Sequence, residues 1–317
     1  MFGRRPSAGR LRGFAVAGVA TIAATFALAA PATAQPLYGV VPQDNALPAG
    51  EDLELMPSGG VDSIRLMAHW PSAEDIDGIY DWSSLDGMVR ESIKRGIDPL
   101  PYFFGTPDWA ARRDGHSCGR DDCSLYPPSS AETRKAFADF AAAAVERYGP
   151  DGDFWKPPVQ ATTSTLPCDL PICPPPPPPP PVSPEPPPTE APCGCTEPRP
   201  IRIWQIWNEQ NSPKFFAPAP DVGKYAAMLK AAGDAIHRVD PGADVILGGM
   251  WGPQTLKNKV VVPIKEYLSG LYEIGGAAKS FDSVALHPYS QNVAGSLAQL
   301  RTAHQVAKRA GDRKVGM

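Results

Sequence analysis

Short apolar runs alternate with longer amphipathic segments along this chain, and that alternation restricts its fold more than any other feature. The predicted strands are Leu37–Val41, Ser63–Met67, Asp98–Phe104, Ile201–Trp207, Val245–Gly248 and Ser283–His287, and Val315 begins a seventh. The predicted helices are Trp82–Arg95, Ala131–Tyr148, Val222–Val239, Val260–Ile274 and Val293–Ala310. Strands separated by helices of this length form parallel sheets, because a parallel connection needs a crossover segment. The chain therefore belongs to the α/β class.

The number of strand–helix units favours a (β/α)8 TIM barrel over an open doubly wound sheet. No glycine-rich phosphate loop follows the first strand, which also disfavours a dinucleotide-binding fold. Only about six to seven barrel strands can be assigned, so the predicted barrel is incomplete.

The amino terminus has the three parts of a secretory signal peptide. A basic stretch at residues 4–12 precedes an uncharged, alanine-rich run at 14–30, and Ala32-Thr33-Ala34 fits a small-x-small cleavage site. An uncleaved membrane anchor is the alternative, but the run is short, poor in large apolar residues and closed by Pro31. We expect residues 1–34 to be removed and residues 35–317 to be secreted to the extracellular space.

The net charge and the hydropathy pattern restrict the classes of partner that this chain can bind. The net charge is −4 and residues 35–317 contain no basic cluster, which argues against nucleic acid. No second apolar segment is long enough to cross a bilayer, so we expect no membrane association after cleavage. We expect a monomer that needs no metal and no cofactor.

Residues 157–200 differ from the rest of the chain in composition. They include eight consecutive prolines at Pro174–Pro181. Proline fixes φ and lacks an N–H donor, so this segment can join neither helix nor sheet and is predicted to be polyproline II or disordered. Because it lies between two well-patterned regions, we interpret it as an insertion in the loop before the fourth strand.

Cysteines in an exported protein are more often bridged than free. We expect Cys118 to pair with Cys123. Cys193 and Cys195 are too close in sequence to bridge comfortably, so we expect them to pair with Cys168 and Cys173 in an order that stays open. A zinc site formed by these last four cysteines is the alternative, although none has a neighbouring histidine.

The fourth predicted strand ends in polar groups with aromatic neighbours, Trp207-Asn208-Glu209-Gln210-Asn211. A carboxylate buried there is costly unless it is paired or protonated, and a general acid must carry a proton. Adjacent strand residues point to opposite faces, so Asn208 and Glu209 can share a pocket only where the strand ends or bulges. The structural alternative is a strand terminus whose polar side chains cap the next helix.

Other polar and aromatic residues lie at the carboxyl ends of the predicted strands, where the chemistry of such barrels gathers. They are Arg65, His69, Trp70, Trp109, Trp251, His287 and Tyr289. Indole rings stack on the apolar faces of sugars, and the polar groups can bind hydroxyls, so we expect a carbohydrate substrate. Each also has a structural alternative: an ion pair for Arg65, core packing for Trp70 and Trp109, and a satisfied strand-end histidine for His287.

Four segments resemble glycoside hydrolases of clan A, and most closely families 39 and 5. They are Ile203–Asn211, Gly105–Ala110, Asp282–Tyr289 and Tyr80–Asp86. The resemblance implies a (β/α)8 retaining enzyme with an acid/base glutamate on strand four and a nucleophilic glutamate on strand seven. It covers Leu37 to Met317 apart from the proline-rich segment.

The resemblance also implies residue roles. Glu209 would be the general acid/base, and Asn208 would bind the sugar hydroxyl next to the anomeric carbon. Arg65 and Tyr289 would orient the nucleophile. His69, Trp109 and His287 would line the sugar site nearest the scissile bond. From their position at the strand ends, we expect Trp70 and Trp251 to bind the substrate as well.

The function expected from these observations is that of a secreted retaining O-glycosidase acting on β-glycosidic bonds in a poly- or oligosaccharide. The sequence stops at Lys314-Val315-Gly316-Met317, before the nucleophile, so we interpret it as a carboxyl-terminally truncated and inactive fragment. One alternative is a non-catalytic carbohydrate-binding barrel. Another is a wall-associated structural protein that acts through its proline-rich segment.

The first prediction concerns the second carboxylate. If the seventh strand begins at Val315, typical strand lengths place its end about three to six residues beyond Met317. We expect a glutamate there, after an apolar run like the one that ends at Glu209. The codons that follow residue 317 test this, and a strand that ends without an acidic residue would favour the binding protein.

Overall fold

Five parallel strands lie side by side in chain order and organise the residues from Leu37 onward. In this computed structural model they are β1 (Gly39–Val40), β2 (Ser63–His69), β3 (Asp98–Phe104), β4 (Ile203–Ile206) and β5 (Asp244–Leu247). The structure describes residues 37–43, 46–118, 123–156, 191–195, 197–252, 255–256 and 259–317. The predicted signal peptide and most of the proline-rich segment lie outside these residues.

Four shorter strands follow: β6 (Met250–Trp251), β7 (Thr255–Leu256), β8 (Lys259–Val260) and β9 (Leu286–His287). β7 and β8 form an antiparallel hairpin, whereas β6 pairs in parallel with β9. Parallel bridges also join Ile246 to Ser283 and Ser283 to Gly316. The parallel order therefore continues past β5 to a sixth and a seventh position, which confirms the predicted incomplete (β/α)8 barrel.

Among the described residues, eight α-helices connect or flank the strands. They are α1 (Gly50–Leu55), α2 (Trp70–Ala73), α3 (Ser83–Ile93), α4 (Asp108–Arg113), α5 (Ala131–Tyr148), α6 (Val222–Val239), α7 (Ile264–Glu273) and α8 (Val293–Arg309). Short 3-10 turns occur at Cys123–Leu125, Asp153–Trp155 and Ala277–Lys279. Within the described part of the chain, no helix combines the length and the apolar character needed to cross a bilayer.

Side-chain caps explain where the long helices begin. Ser130 accepts from Thr133 N, Asp221 accepts from Lys224 N, and Asn292 accepts from Gly295 N, so each supplies an acceptor that the first helical turn lacks.

α7 begins four residues later than predicted. Val260 belongs to strand β8, and the helix starts only after Pro263.

The two faces of the sheet are packed differently. Outward residues such as Ile64, Phe103 and Trp204 are completely buried beneath the helices, and the rings of Phe103 and Trp204 stack at 5.5 Å. Inward residues such as Arg65 and Met67 remain partly exposed. The hydrophobic core therefore lies between sheet and helices, and the inner face is available to polar side chains.

The proline-rich segment is fastened where it rejoins the fold. Cys193 is buried in the core, and its N–H donates to Phe154 O at 3.0 Å. Arg90 Nε of α3 donates to Pro192 O at 2.5 Å. Phe154 lies three residues before the segment begins and Cys193 lies near its carboxyl end, so this hydrogen bond brings the two ends of the segment close together.

The disulfides confirm one expectation and correct another. Cys118 and Cys123 are bridged, as predicted. Cys193 is bridged to Cys195, whereas the sequence suggested partners in the insertion. Gly194 between them has φ +56°, a left-handed conformation that glycine adopts without strain, and the turn brings the two Cα atoms to 5.2 Å. Cys168 and Cys173 lie outside the described residues.

The second prediction follows from this junction. Replacing residues 157–190 with a short Gly/Ser loop should leave the Tm within a few degrees, because that composition cannot build a core and loop length costs little. Extending the replacement through residue 195 should lower the Tm clearly, because buried Cys193 is lost. Thermal denaturation of the two variants checks this. An equal decrease in Tm in the two variants would show that the insertion itself stabilises the fold.

Candidate active site

Strand β4 ends at Ile206, and the backbone then turns sharply. Trp207 and Glu209 have φ values of 72° and 44°, a left-handed conformation that non-glycine residues adopt at a cost of about 1–3 kcal/mol. Trp207 is completely buried; its backbone N–H donates to Phe103 O and its indole N–H donates to Phe215 O. These contacts hold the turn, which lets Asn208 and Glu209 face one cavity although they are adjacent in sequence.

That cavity has a volume of about 510 Å³, in the range of small-molecule sites. Its lining combines charged and amide groups with aromatic and aliphatic side chains. The lining residues are Val41, Pro42, Gln43, Arg65, Met67, Tyr102, Phe104, Asn208, Glu209, Phe215, His287 and Tyr289. They come from strands β2, β3 and β9 and from the segments that follow β1, β4 and β9.

Glu209 is the carboxylate of this site, and its side chain is only 5% exposed. Its Oε1 lies 2.7 Å from His287 Nδ1. Its Oε2 has no hydrogen-bond partner among the residues that the structure describes. A side chain at position 249 would collide with the His287 ring, so Gly249 is what allows the imidazole to lie there. One oxygen of the carboxylate is thus held in place, and the other is buried without a hydrogen-bond partner among the described residues.

Arg65 is fixed from three directions. Its Nε donates to Gln205 Oε1 at 2.6 Å, and its Nη2 donates to Asn208 Oδ1 at 3.0 Å. Its guanidinium lies 3.6 Å from the ring centroid of Tyr102. Burial lowers the pKa of Arg65, and neighbouring groups that include Glu209 oppose this effect. Burial raises the pKa of Tyr102, which keeps its phenol neutral beside the cation.

Asn211 fastens the segment that carries the hairpin β7–β8. It is completely buried, and its Nδ2 donates to Trp251 O at 3.0 Å and to Val262 O at 2.9 Å. Its Oδ1 accepts from Trp251 N at 2.8 Å, and its own carbonyl accepts from Val262 N. One residue therefore closes both ends of the loop. Trp251 then packs against Tyr289 with ring centroids 4.8 Å apart.

Most of the residues predicted to form the site meet here. Arg65, Asn208, Glu209, His287 and Tyr289 line the cavity, and Trp251 supports Tyr289 from behind. His69 lies on the same face of β2 as Arg65, at the end of the strand.

His69 nevertheless lines a neighbouring groove rather than the cavity of Glu209. Its Nδ1 is 2.7 Å from Ser72 Oγ, a contact within the chain's own next turn.

Two tryptophans depart from the prediction. Trp70 is completely buried and its indole donates to Glu74 Oε2 at 2.6 Å, so it has no surface for a sugar and belongs to the core. Trp109 packs edge-on against Trp70, donates to Glu74 O and lies beneath Arg113. Trp109 is not among the lining residues of the cavity in the described structure. The chain enters helix α2 at Trp70 itself, which turns this side chain inward.

The structure adds site residues that the sequence did not identify. Tyr102 and Gln205 are register partners on β3 and β4, and Tyr102 also pairs with Met67 of β2, so all three share the inner face. A glutamine within an otherwise apolar strand was the available signal for Gln205. Phe104 follows the same alternation. Phe215 lies in an irregular loop, and nothing in its sequence context marked it.

Comparison with solved structures identifies the fold. A monomeric β-xylosidase from Caulobacter crescentus CB15 matches with a TM-score of 0.51 at 16% identity, over 86% of this chain and 48% of its own. The GH39 enzyme from Xanthomonas axonopodis pv. citri gives 0.51 at 15%, over 86% and 47%. A glucosidase from Croceicoccus marinus gives 0.50 at 12%, over 88% and 50%.

These matches show that the chain has the fold of clan A glycoside hydrolases such as the family 39 enzymes, in agreement with the resemblance drawn from sequence. The chain spans about half the length of the solved structures it matches. No protein-family model matches the sequence, and no curated protein matches it at a significant level.

The third prediction concerns Asn211. Asn211→Ala removes three side-chain hydrogen bonds and leaves buried backbone groups of Trp251 and Val262 unpaired, so it should cost about 2–4 kcal/mol of unfolding free energy. Asn292→Ala is the control, because it removes one exposed helix cap and should cost about 1 kcal/mol. Urea denaturation measures the loss of unfolding free energy in both variants. Hydrogen exchange at the backbone amide of Trp251 should become faster only in Asn211→Ala. An equal cost in the two variants would contradict the assigned role.

Proposed function

We propose that this chain is the catalytic barrel of a secreted retaining O-glycosidase that hydrolyses β-glycosidic bonds in a poly- or oligosaccharide, with Glu209 as the general acid/base. The observation that carries the proposal is the setting of Glu209. Glu209 lies three residues after the end of β4, and it lines a cavity together with Asn208 and Arg65. One of its oxygens is held by His287, and the other has no partner among the described residues.

The reaction would proceed in two displacements. A second carboxylate attacks the anomeric carbon while the protonated Glu209 gives its proton to the departing glycosidic oxygen. Glu209, now a carboxylate, then removes a proton from water, and the water oxygen displaces the sugar from the second carboxylate. The hydrogen bond between Glu209 and His287 would keep the carboxyl group in one orientation through both proton transfers.

Glu209 is the one carboxylate among the cavity's lining residues within the described ranges. Retaining geometry requires a second carboxyl group about 5–5.5 Å away. We propose that the glutamate expected shortly after Met317 fills this role. Arg65 and Tyr289 would hold that group, because both line the cavity and offer hydrogen-bond donors.

The solved structures of similar fold suggest the first substrates to test. One is described as a β-xylosidase and another as a glucosidase. We therefore propose β-xylosides and β-glucosides as substrates of this protein. The mixed lining, with Phe104 and Phe215 beside Asn208 and Glu209, suits a sugar that has both hydroxyl groups and apolar faces.

A non-catalytic carbohydrate-binding barrel is the second candidate. The presence of a single carboxylate among the described lining residues favours it for the chain as given. The two candidates differ in one respect: both bind β-glycosides, and only the enzyme also turns them over.

The fourth prediction tests the acid/base role in the natural protein. Glu209→Ala should slow both displacements of a β-glycoside, but it should spare the first for aryl glycosides with very good leaving groups, which depart without protonation. Added azide should restore turnover and yield a β-glycosyl azide, because the small anion needs no general base. Glu266→Ala, at an exposed glutamate of α7, is the control and should behave like the native enzyme.

Product configuration is read by NMR. An α-configured product would mean inversion and would overturn the two-glutamate assignment. Binding without turnover in the natural protein would establish the carbohydrate-binding barrel instead.

A further inference from the structure

We propose that Gln205 is a positioning residue that fixes Arg65 and, through it, the orientation of the Asn208 amide, so that Asn208 presents N–H donors to the ligand. The identity of the ligand as a sugar rests on the proposed function. The positioning itself rests on a continuous chain of hydrogen bonds from the backbone of β5 to the cavity.

This chain of hydrogen bonds, which we call the relay, begins at a group that only accepts hydrogen bonds. Leu247 O is a backbone carbonyl and only accepts, and it lies 2.9 Å from Gln205 Nε2. The amide nitrogen of Gln205 must therefore face β5, and its oxygen must face Arg65. Gln205 is 3% exposed, so water does not compete for either end of the amide.

Arg65 passes this orientation on because a guanidinium is planar and rigid. Its Nε is held by Gln205 Oε1 at 2.6 Å, and its plane lies over the ring of Tyr102. With one nitrogen and the plane fixed, the direction of Nη2 is fixed as well. That nitrogen donates to Asn208 Oδ1 at 3.0 Å.

Asn208 is the end of the relay. Because its Oδ1 accepts from Arg65, its Nδ2 occupies the other branch of the amide. Nδ2 makes no hydrogen bond within the described ranges, although the residue is 7% exposed and lines the cavity. A ligand therefore meets a donor at this position and must offer an acceptor, such as the lone pair of a hydroxyl oxygen.

The relay needs a neutral amide at position 205. A leucine has no acceptor for Arg65 and no donor for Leu247 O. A glutamate keeps the acceptor but turns a second oxygen toward the carbonyl of Leu247, and its charge would neutralise Arg65 from within the sheet. Glutamine satisfies both neighbours and leaves the positive charge of Arg65 to the cavity.

The first measurement compares two probes, methyl β-D-xyloside and its 2-deoxy analogue, by NMR titration of residues 35–317. The native chain should bind the hydroxylated probe about five- to tenfold more tightly, the value of one hydrogen bond. Asn208→Ala and Gln205→Leu should both reduce this ratio to about one.

Gln210→Leu is the matched control. Gln210 is adjacent to the site and completely buried, but neither end of its amide has a partner among the described residues. Its replacement should leave the ratio of the two affinities unchanged. If Gln205→Leu weakens both probes equally and the ratio stays at its native value, Gln205 is merely structural and the inference fails.

A second measurement does not depend on a sugar. The Arg65 Nε–H should exchange slowly with solvent in the native chain and in Gln210→Leu, and fast in Gln205→Leu, as followed by ¹⁵N NMR. Fast exchange in the native chain would overturn the relay whatever the ligand. Slow exchange together with failure to bind either xyloside would support the relay and count against the proposed function.

Discussion

The left-handed turn at Trp207 is the constraint on which the site depends. A regular strand would send Asn208 and Glu209 to opposite faces, one to the helices and one to the barrel interior. The turn places both side chains at the cavity. It also brings Asn211, two residues after Glu209, against the segment that carries Trp251. A bulky residue at positive φ is unfavourable by itself. It persists here because Trp207 is held twice, by its backbone N–H on Phe103 O and by its indole N–H on Phe215 O.

The division of the sheet into two faces explains why polar residues collect at one place. The outward side chains of β2 to β5 pack under the helices and carry the hydrophobic core. On the inner face, Met67, Tyr102 and Gln205 are in register on neighbouring strands, and Arg65 lies two residues before Met67 on the same face of β2. Parallel strands end at a common edge, so groups distant in sequence become neighbours. The acidic Glu209 and the cation Arg65 consequently share one cavity.

The sequence predicted the elements whose signals are local. The bounds of α5 and α6 match the structure, because capping residues and apolar spacing define both ends of those helices. Strand alternation indicated that Asn208 and Glu209 could share a pocket only where the strand ends or bulges, and the strand does end at Ile206. Trp70 was assigned wrongly because an aromatic residue at a strand end fits a core as well as a sugar site. The partners of Gln205 and the bridge of Cys193 to Cys195 depend on tertiary register and on one glycine conformation, which spacing does not encode.

The three side-chain hydrogen bonds of Asn211 make the fold depend on the chemical stability of one amide. Asparagine followed by a small residue, as in Asn211-Ser212, can lose its amide nitrogen and become aspartate. The oxygen that replaces Nδ2 would face Trp251 O and Val262 O, two acceptors, so attraction would turn into repulsion. The three hydrogen bonds that hold the amide also restrain it from reacting. Loss of tertiary structure and loss of this amide would therefore accelerate each other, so that the lifetime of the molecule is coupled to the integrity of one buried carboxamide.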